Sequence, residues 1–563
     1  MQKGNFMNKN MCIAVSCSCI FFSTLSAFAF DLQVAWIERN PKDYNPMEQL
    51  GSNDRPQPGE TNWWEVHVYN NSLQTSTPYT VTWYINQVQT GSQDMPVLPP
   101  NAYGLAANRW IVPDEYTYDF SQPLTNMLTA VITADDDART NNNALSVHMD
   151  ALTYQVALYT GTFARYTIPD STSIYDHLNY MFARLNSKLA EAVFPMAPMG
   201  ILDRCRIDNV ILTDNRRISA EIPHPEYAVK AFLSEAYPDS RLGGVINYPH
   251  YFIGWFWHQG ELFSDRAMNA FIHECGHCLQ APDIYNFDLQ GRCNFVNPGV
   301  SVMSTWMDAP GKIDIMRSPY FGTNSVFSVY DAVVINKQPG QPRPVPPEML
   351  GRGPGNTNFG YMYRDLPQKV AFRLFNSDGT ELDGIPVNVY RGFLIMDGYY
   401  PNLCFTNVPY YAAEYNSSVT FDPNFARHES FASKMSNCFQ VGIYGGDHSY
   451  FHVFDFPRFN YMYWKGFTNT AEFHITNAYS VSQITAVKVE PGSDESIIKL
   501  SVSNTPRSIK ISTSEEGLDS TEWQPFYTPV HVPASSGKKA YVQVLSPDYV
   551  PSVVKTVELK PTQ

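Results

Sequence analysis

The chain has 563 residues, of which 44% are hydrophobic, 14% aromatic and 17% charged, and its formal net charge is -15. A length so far beyond one hydrophobic core implies several domains, and the composition excludes a disordered or fibrous chain. The acid excess argues against nucleic acid as a partner, because phosphate binding needs a basic surface.

Residues 1–29 carry Lys3 and Lys9, an apolar run from Met11 to Leu25 and the small-residue pattern Ala27-Phe28-Ala29. This is the layout of a secretory signal peptide, so a secreted or cell-surface protein is expected. Its removal takes away two lysines and no acid, making the mature chain more acidic still. Six cysteines then remain: Cys205, Cys275, Cys278, Cys293, Cys404 and Cys438. An even number in an exported chain reads as disulfides, with Cys404–Cys438 the natural pair and Cys278–Cys293 a staple for the intervening loop. The rival reading is a four-thiolate zinc site from Cys205, Cys275, Cys278 and Cys293.

Residues 30–152 alternate apolar and polar side chains at Trp64, Val66 and Val68 and at Val81, Trp83 and Ile85, with Pro, Gly and Asn between the runs. A β-sandwich is expected. The segment Asp135 to Asn143, rich in Asp and Asn, resembles a turn of adhesion-type immunoglobulin-like modules. Residues 153–338 change texture. Ile174, Leu178, Met181, Leu185 and Leu189 recur at helical spacing. A strand is expected at Val210 to Leu212, a helix around Glu226 to Ala236 and a strand near Gly244 to Asn247. A helix capped by Ser264 or Asp265 should run from Arg266 to about Leu279, and a short one from Val329 to Asn336. Residues 339–362 form a Pro/Gly linker. Residues 363–482 read as a β-rich module, with a hairpin signalled by Val370, Phe372 and Leu374 running into Asp378-Gly379. Residues 483–563 resemble a fibronectin-like or immunoglobulin-like module, with alternation at Tyr541 to Val544 and Trp523 as core anchor.

The chemistry lies on the helix that ends near Leu279. His273-Glu274-Cys275-Gly276-His277 has the His-Glu-x-x-His spacing, which sets two imidazoles on one face and a carboxylate beside them. The opposite face is apolar at Met268, Ile272, Cys275 and Leu279. Zinc held by His273 and His277, with Glu274 as general base, follows from that geometry. A third ligand is required. No glutamate stands between Glu274 and Glu348, which leaves Asp, His or Cys. Asp283 is the nearest carboxylate after His277, six residues on, where the metzincin pattern puts its third ligand; Asp288, Asp308 and Asp314 are alternatives.

The run from His273 to Tyr285, with Pro282-Asp283-Ile284-Tyr285 after the second histidine, resembles the active-site segment of the immune inhibitor A family of secreted bacterial metallopeptidases. The resemblance implies Asp283 as third ligand and a methionine turn beneath the metal, for which Met303 in Pro298 to Ser304 is the candidate. Gln280 stands where the family has glycine, and Thr305 where several metzincins have a tyrosine that holds the transition state. Tyr285, His250 or His258 could take that contact instead.

The expected architecture is therefore multidomain: an α+β metzincin-like zinc peptidase domain flanked by all-β immunoglobulin-like sandwich modules. One catalytic zinc is expected; no motif marks a structural calcium. The expected activity is endopeptidase cleavage of protein or glycoprotein substrates, with attachment to a cell surface or extracellular matrix through the β-modules. The alternative is a secreted adhesion or glycan-binding protein carrying an accessory or inactive metallopeptidase domain.

Overall fold

A computed structural model describes residues 29–41, 56, 58–116, 126–214, 227, 229–235, 251–257, 260–279, 281, 312–317, 324–336, 365–376, 381, 385–397, 400–405, 411–415, 419–423, 438–445, 448–477, 484–502, 505–533, 537–545 and 551–560. These residues are mostly β-structure, arranged in several small sheets with few helices.

Alternation in the first segment produces a two-sheet sandwich. Strands β1 (Leu32–Asn40), β2 (Thr61–Asn70) and β5 (Tyr103–Ile111) form one antiparallel sheet. Strands β3 (Tyr79–Ile85), β4 (Val88–Met95), β6 (Met127–Ala134) and β7 (Ala144–His148) form the other, in the order β4-β3-β6-β7. The inward residues Trp64, Val66, Val68, Val81 and Trp83 are almost fully buried, as the period of two requires.

The second segment is built on a parallel sheet of β8 (Leu152–Tyr159), β9 (Cys205–Thr213), β10 (Val229–Glu235) and β11 (Tyr251–Trp257), ordered β11-β10-β8-β9. Helix α1 (Thr160–Tyr166) follows β8 directly. Helix α2 (Ile174–Glu191) realises the expected periodicity, with Ser173 and Asp176 forming a capping box. Helix α3 (Asp265–Cys278) and α4 (Val329–Asn336) also lie where the sequence puts them. Within the helix expected around Glu226 to Ala236, Val229–Glu235 is instead β10, the strand between β8 and β11. Val229, Ala231 and Leu233 face the core shared with α2 and α3, while Phe232 is buried on the other face. Burial on both faces of a parallel strand overrides the helix preference of its Ala, Leu and Glu. The strand expected at Gly244 to Asn247 lies outside the described residues.

Short strands β12 (Ile313–Asp314) and β13 (Ser325–Val326) pair in parallel ahead of α4. In the third segment β14 (Lys369–Asn376) pairs in parallel with Thr470–Asn477 and antiparallel with Val419–Phe421. Of the hairpin expected at Asp378-Gly379, the turn itself lies outside the described residues, and an antiparallel bridge pairs Phe375 with Glu381 on either side of it. Helix α5 (Phe456–Trp464) joins the segment to α4: Tyr330 stacks on Trp464 and its hydroxyl donates to Asn460 Oδ1 at 3.1 Å. Buried apolar residues run without a break from α3 through α4 into Phe372, Phe454 and Phe473. The last segment has a core of its own around Ile498, Ile509, Val530, Val542 and Val544. Trp523 is not in that core. It is half-buried beside the two-residue edge strand Gln524–Pro525, with the Lys510 ammonium 4.9 Å over its ring.

Candidate metal centre

Helix α3 is fixed at its start by its own sequence and by two neighbours. The Ser264 hydroxyl accepts from Ala267 N–H at 3.2 Å, filling the N-cap role. Arg184 of α2 pairs with Asp265 and donates to Asn269 Oδ1 at 2.9 Å. Just ahead of the helix, Glu235 at the end of β10 binds Arg165 at 2.8 Å, accepts from Gly260 N–H at 2.7 Å and from Tyr166, whose hydroxyl in turn accepts from Leu262 N–H at 3.2 Å. This polar clamp sets where the chain enters α3. Met268, Ile272, Cys275 and Leu279 are buried, as the apolar face predicts.

On the other face His273 and His277 stand one turn apart, their ring centroids 4.7 Å from each other and their planes at 82°. His273 is buried and His277 half-buried. His273 Nδ1 lies 2.9 Å from the carbonyl of Ile315, and His277 Nδ1 lies 2.9 Å from the carbonyl of Ala281. A carbonyl can only accept, so both Nδ1 atoms carry the hydrogen. In the neutral ring this makes Nε2 the lone-pair nitrogen. Orienting a histidine through its second nitrogen is the usual support for a zinc ligand, so the two residues fit the ion. Glu274 is half-buried beside them.

The sequence reading gave no account of Gly276. A Cβ placed on it would meet Met316 Sδ at 2.5 Å and Phe327 Cε1 at 3.0 Å, so the methionine and phenylalanine pack directly on the helix between the two histidines. Met316 is fully buried, and it follows Ile315, the residue whose carbonyl holds His273. The same turn thus supplies both the orienting carbonyl and an apolar floor. Beneath it Asp314 accepts from Met316 N–H at 2.6 Å, and Asp331 of α4 accepts from Ser328. Burial pushes the carboxyls of Asp314 and Asp331 above the usual carboxylate range, and for Asp331 the facing acid adds to it. Asp314, an alternative third ligand in the sequence, is engaged here in the turn. Asp283, Asp288, Asp308, Met303, Tyr285, His250 and His258 lie outside the described residues, as does Gln280.

Cys205, Cys275 and Cys278 are buried. Cys205 Sγ lies 3.8 Å from the Tyr154 hydroxyl. Burial, reinforced by neighbouring thiols, pushes Cys275 and Cys278 well above the usual thiol range, which opposes the thiolate form that zinc needs. Among the described residues these three are not bridged to one another, in contrast to the disulfide expectation. The Cys293 pairing lies outside the described residues, as do the side chains of Cys404 and Cys438.

No family model matches the chain, and no curated protein matches it. Among solved structures it is similar to a CARDB domain from Pyrococcus furiosus determined with di-metal ions (18% identity, 21% of this chain and 89% of that one, TM-score 0.15). It is also similar to a domain of a cell-surface protein from Methanosarcina acetivorans (14% identity, 21% and 90%, TM-score 0.16). A β-glucuronidase from Parabacteroides merdae matches at 8% identity over 94% of this chain and 77% of that one, with a TM-score of 0.19. At such scores these likenesses carry no functional conclusion. No helix among the described residues is long and apolar enough to cross a membrane.

Proposed function

We propose that the protein is a secreted zinc-dependent endopeptidase of the immune inhibitor A type, with a metzincin-like catalytic domain. One observation carries the reading: two histidines a helical turn apart, each with Nδ1 tied to a backbone carbonyl so that Nε2 is the ligand atom, with a glutamate adjacent to the first. The signal-like pattern of residues 1–29 and the formal net charge of -15 agree with an extracellular enzyme acting on protein or glycoprotein substrates, and the β-modules would serve attachment.

His273, His277 and Asp283 would hold the ion. Bound there, zinc supplies a Lewis acid for the scissile carbonyl and lowers the pKa of a water. Glu274 takes the proton of that water and carries it to the leaving amine. Ala281 fixes the His277 ring and stands two residues before Asp283, so the stretch that would deliver the third ligand begins at the second. Met316 and Phe327 exclude water from beneath the helix at Gly276.

Replacing both histidines (H273A/H277A) should remove the catalytic zinc and digestion of a denatured protein substrate together. Undiminished digestion would contradict the reading. Asp283→Ala tests the third ligand: zinc affinity should fall by about tenfold or more, as expected when a metal site loses an orienting or ligating group. An unchanged affinity would move that role to another aspartate.

A further inference from the structure

The two imidazoles of α3 are not held alike. His277 Nδ1 meets the carbonyl of Ala281, and the next residue is Pro282, so the peptide that orients this ring has no N–H at its other end. His273 Nδ1 meets the carbonyl of Ile315, and the N–H of that same peptide belongs to Met316. This N–H donates to Asp314 Oδ1 at 2.6 Å. A trans peptide is planar, with its C=O and N–H pointing in opposite directions. The Asp314 carboxyl and the His273 ring therefore hold the two ends of one rigid unit.

The backbone around this unit is fixed by its own sequence. Asp314 ends β12, and its carbonyl accepts from Arg317 N–H at 3.1 Å, closing a tight turn over residues 314–317. Aspartate is favoured at the first position of such a turn because its side chain can bind the N–H two residues on, which sets the tilt of the central peptide. Ile315 N–H donates to Val326 O at 2.8 Å and ties the turn to β13. Asp314, Ile315 and Met316 are at most 1% exposed and His273 is 5% exposed, so both hydrogen bonds are shielded from bulk water. In such a setting linked hydrogen bonds polarise one another, and the bond to Asp314 makes the Ile315 carbonyl a stronger acceptor for His273 Nδ1–H. Oδ1 accepts with the carboxyl ionised or neutral, so the arrangement does not turn on titration.

We propose that Asp314 is a positioning residue of the metal centre, holding His273 through the Ile315–Met316 peptide and not binding the ion itself. The inference rests on the zinc reading of α3. A ligating imidazole gains basicity at one nitrogen from a good acceptor at the other, and here the acceptor is reinforced from behind. The reinforcement reaches His273 alone, because the peptide that meets His277 ends in proline.

The test compares the full chain as wild type, D314A and D314N for zinc affinity, by competition with a chelating indicator, and for the visible absorption of the cobalt(II)-substituted protein. D314A should weaken zinc binding by about ten- to a hundredfold, the range for loss of an orienting partner, and shift the cobalt bands. D314N keeps an oxygen for Met316 N–H and an amide to donate to the facing Asp331, so it should retain wild-type affinity and bands. Where D314A fails to fold, D314L fills the same space without an acceptor and should show the same loss. A D314A protein with a lowered Tm but unchanged affinity and bands would overturn the proposal, since Asp314 would then serve stability alone. So would a D314N protein as weak as D314A, which would make Asp314 a ligand. Failure of the zinc reading has a different signature: the wild type would hold no more zinc than H273A/H277A, and the inference would fall with it.

Discussion

The two terminal β-regions relate to the rest of the molecule in opposite ways. The N-terminal sandwich is keyed into the second segment by buried polar contacts. Asp208 binds Arg206 at 3.1 Å, both side chains being at most 3% exposed, and accepts from Arg39 N–H of β1 at 3.1 Å. Arg206 lies over Trp64 of the sandwich core, the Ser173 cap of α2 donates to Gln33 of β1 at 2.7 Å, and the hydroxyls of Tyr103 and Tyr175 bond across the junction. The C-terminal segment instead closes a small apolar core within itself. The first region is thus part of the scaffold that holds α3, whereas the last, among the described residues, packs around a core of its own. A flanking β-module cannot be taken as removable simply because it resembles a common sandwich.

The largest expected effect comes from breaking the keyed junction. Asp208→Ala leaves the buried Arg206 without its carboxylate and should cost about 3–5 kcal/mol, lowering the unfolding temperature of the sandwich and the second segment together. Calorimetry that showed only one transition moving would contradict the shared scaffold. Gly276→Ala comes next: its Cβ would collide with Met316 and Phe327, at a cost of about 1–3 kcal/mol typical of overpacking. Zinc affinity should fall with it, since the Met316 turn also carries the carbonyl that orients His273. Unchanged stability and affinity would show that the turn yields freely.

A smaller effect concerns pH. The raised carboxyls of Asp314 and Asp331 mean that the folded state holds a proton which the unfolded state releases near the ordinary value of 3.8. The folded state therefore binds more protons than the unfolded one above that pH. The contribution of the pair is fully present below it and is lost as pH rises toward the folded value. Asp331→Asn should flatten this decline in a series of unfolding temperatures from pH 4 upward. A decline equal to that of the wild type would argue against the raised carboxyl of Asp331. The smallest effect should follow removal of residues 484–563, which ought to leave zinc content and the unfolding of the remaining core unchanged.

Local periodicity made the sandwich and helices α2 and α3 legible, because each buries one face and its apolar spacing says which, whereas the short α4 is buried all round and showed as an apolar run. Strand β10 was not, since a strand buried on both faces has no clean alternation and Val229 to Glu235 is rich in residues that favour helices. Of the candidate metal centre, the placement of the two histidines one turn apart with Glu274 beside them was legible from a five-residue spacing. The support from Met316 and Ile315 was not, because it depends on a turn some forty residues downstream folding back under Gly276, and the only signal was the glycine itself.

The central claim is that α3 carries a zinc centre whose proton transfers belong to Glu274. Its most direct test is Glu274→Gln, purified beside the wild type and compared for bound zinc and for digestion of a denatured protein. Zinc should be unchanged while digestion falls by about a thousandfold, in the range for loss of a general base. Digestion at the wild-type rate in the variant would contradict the account.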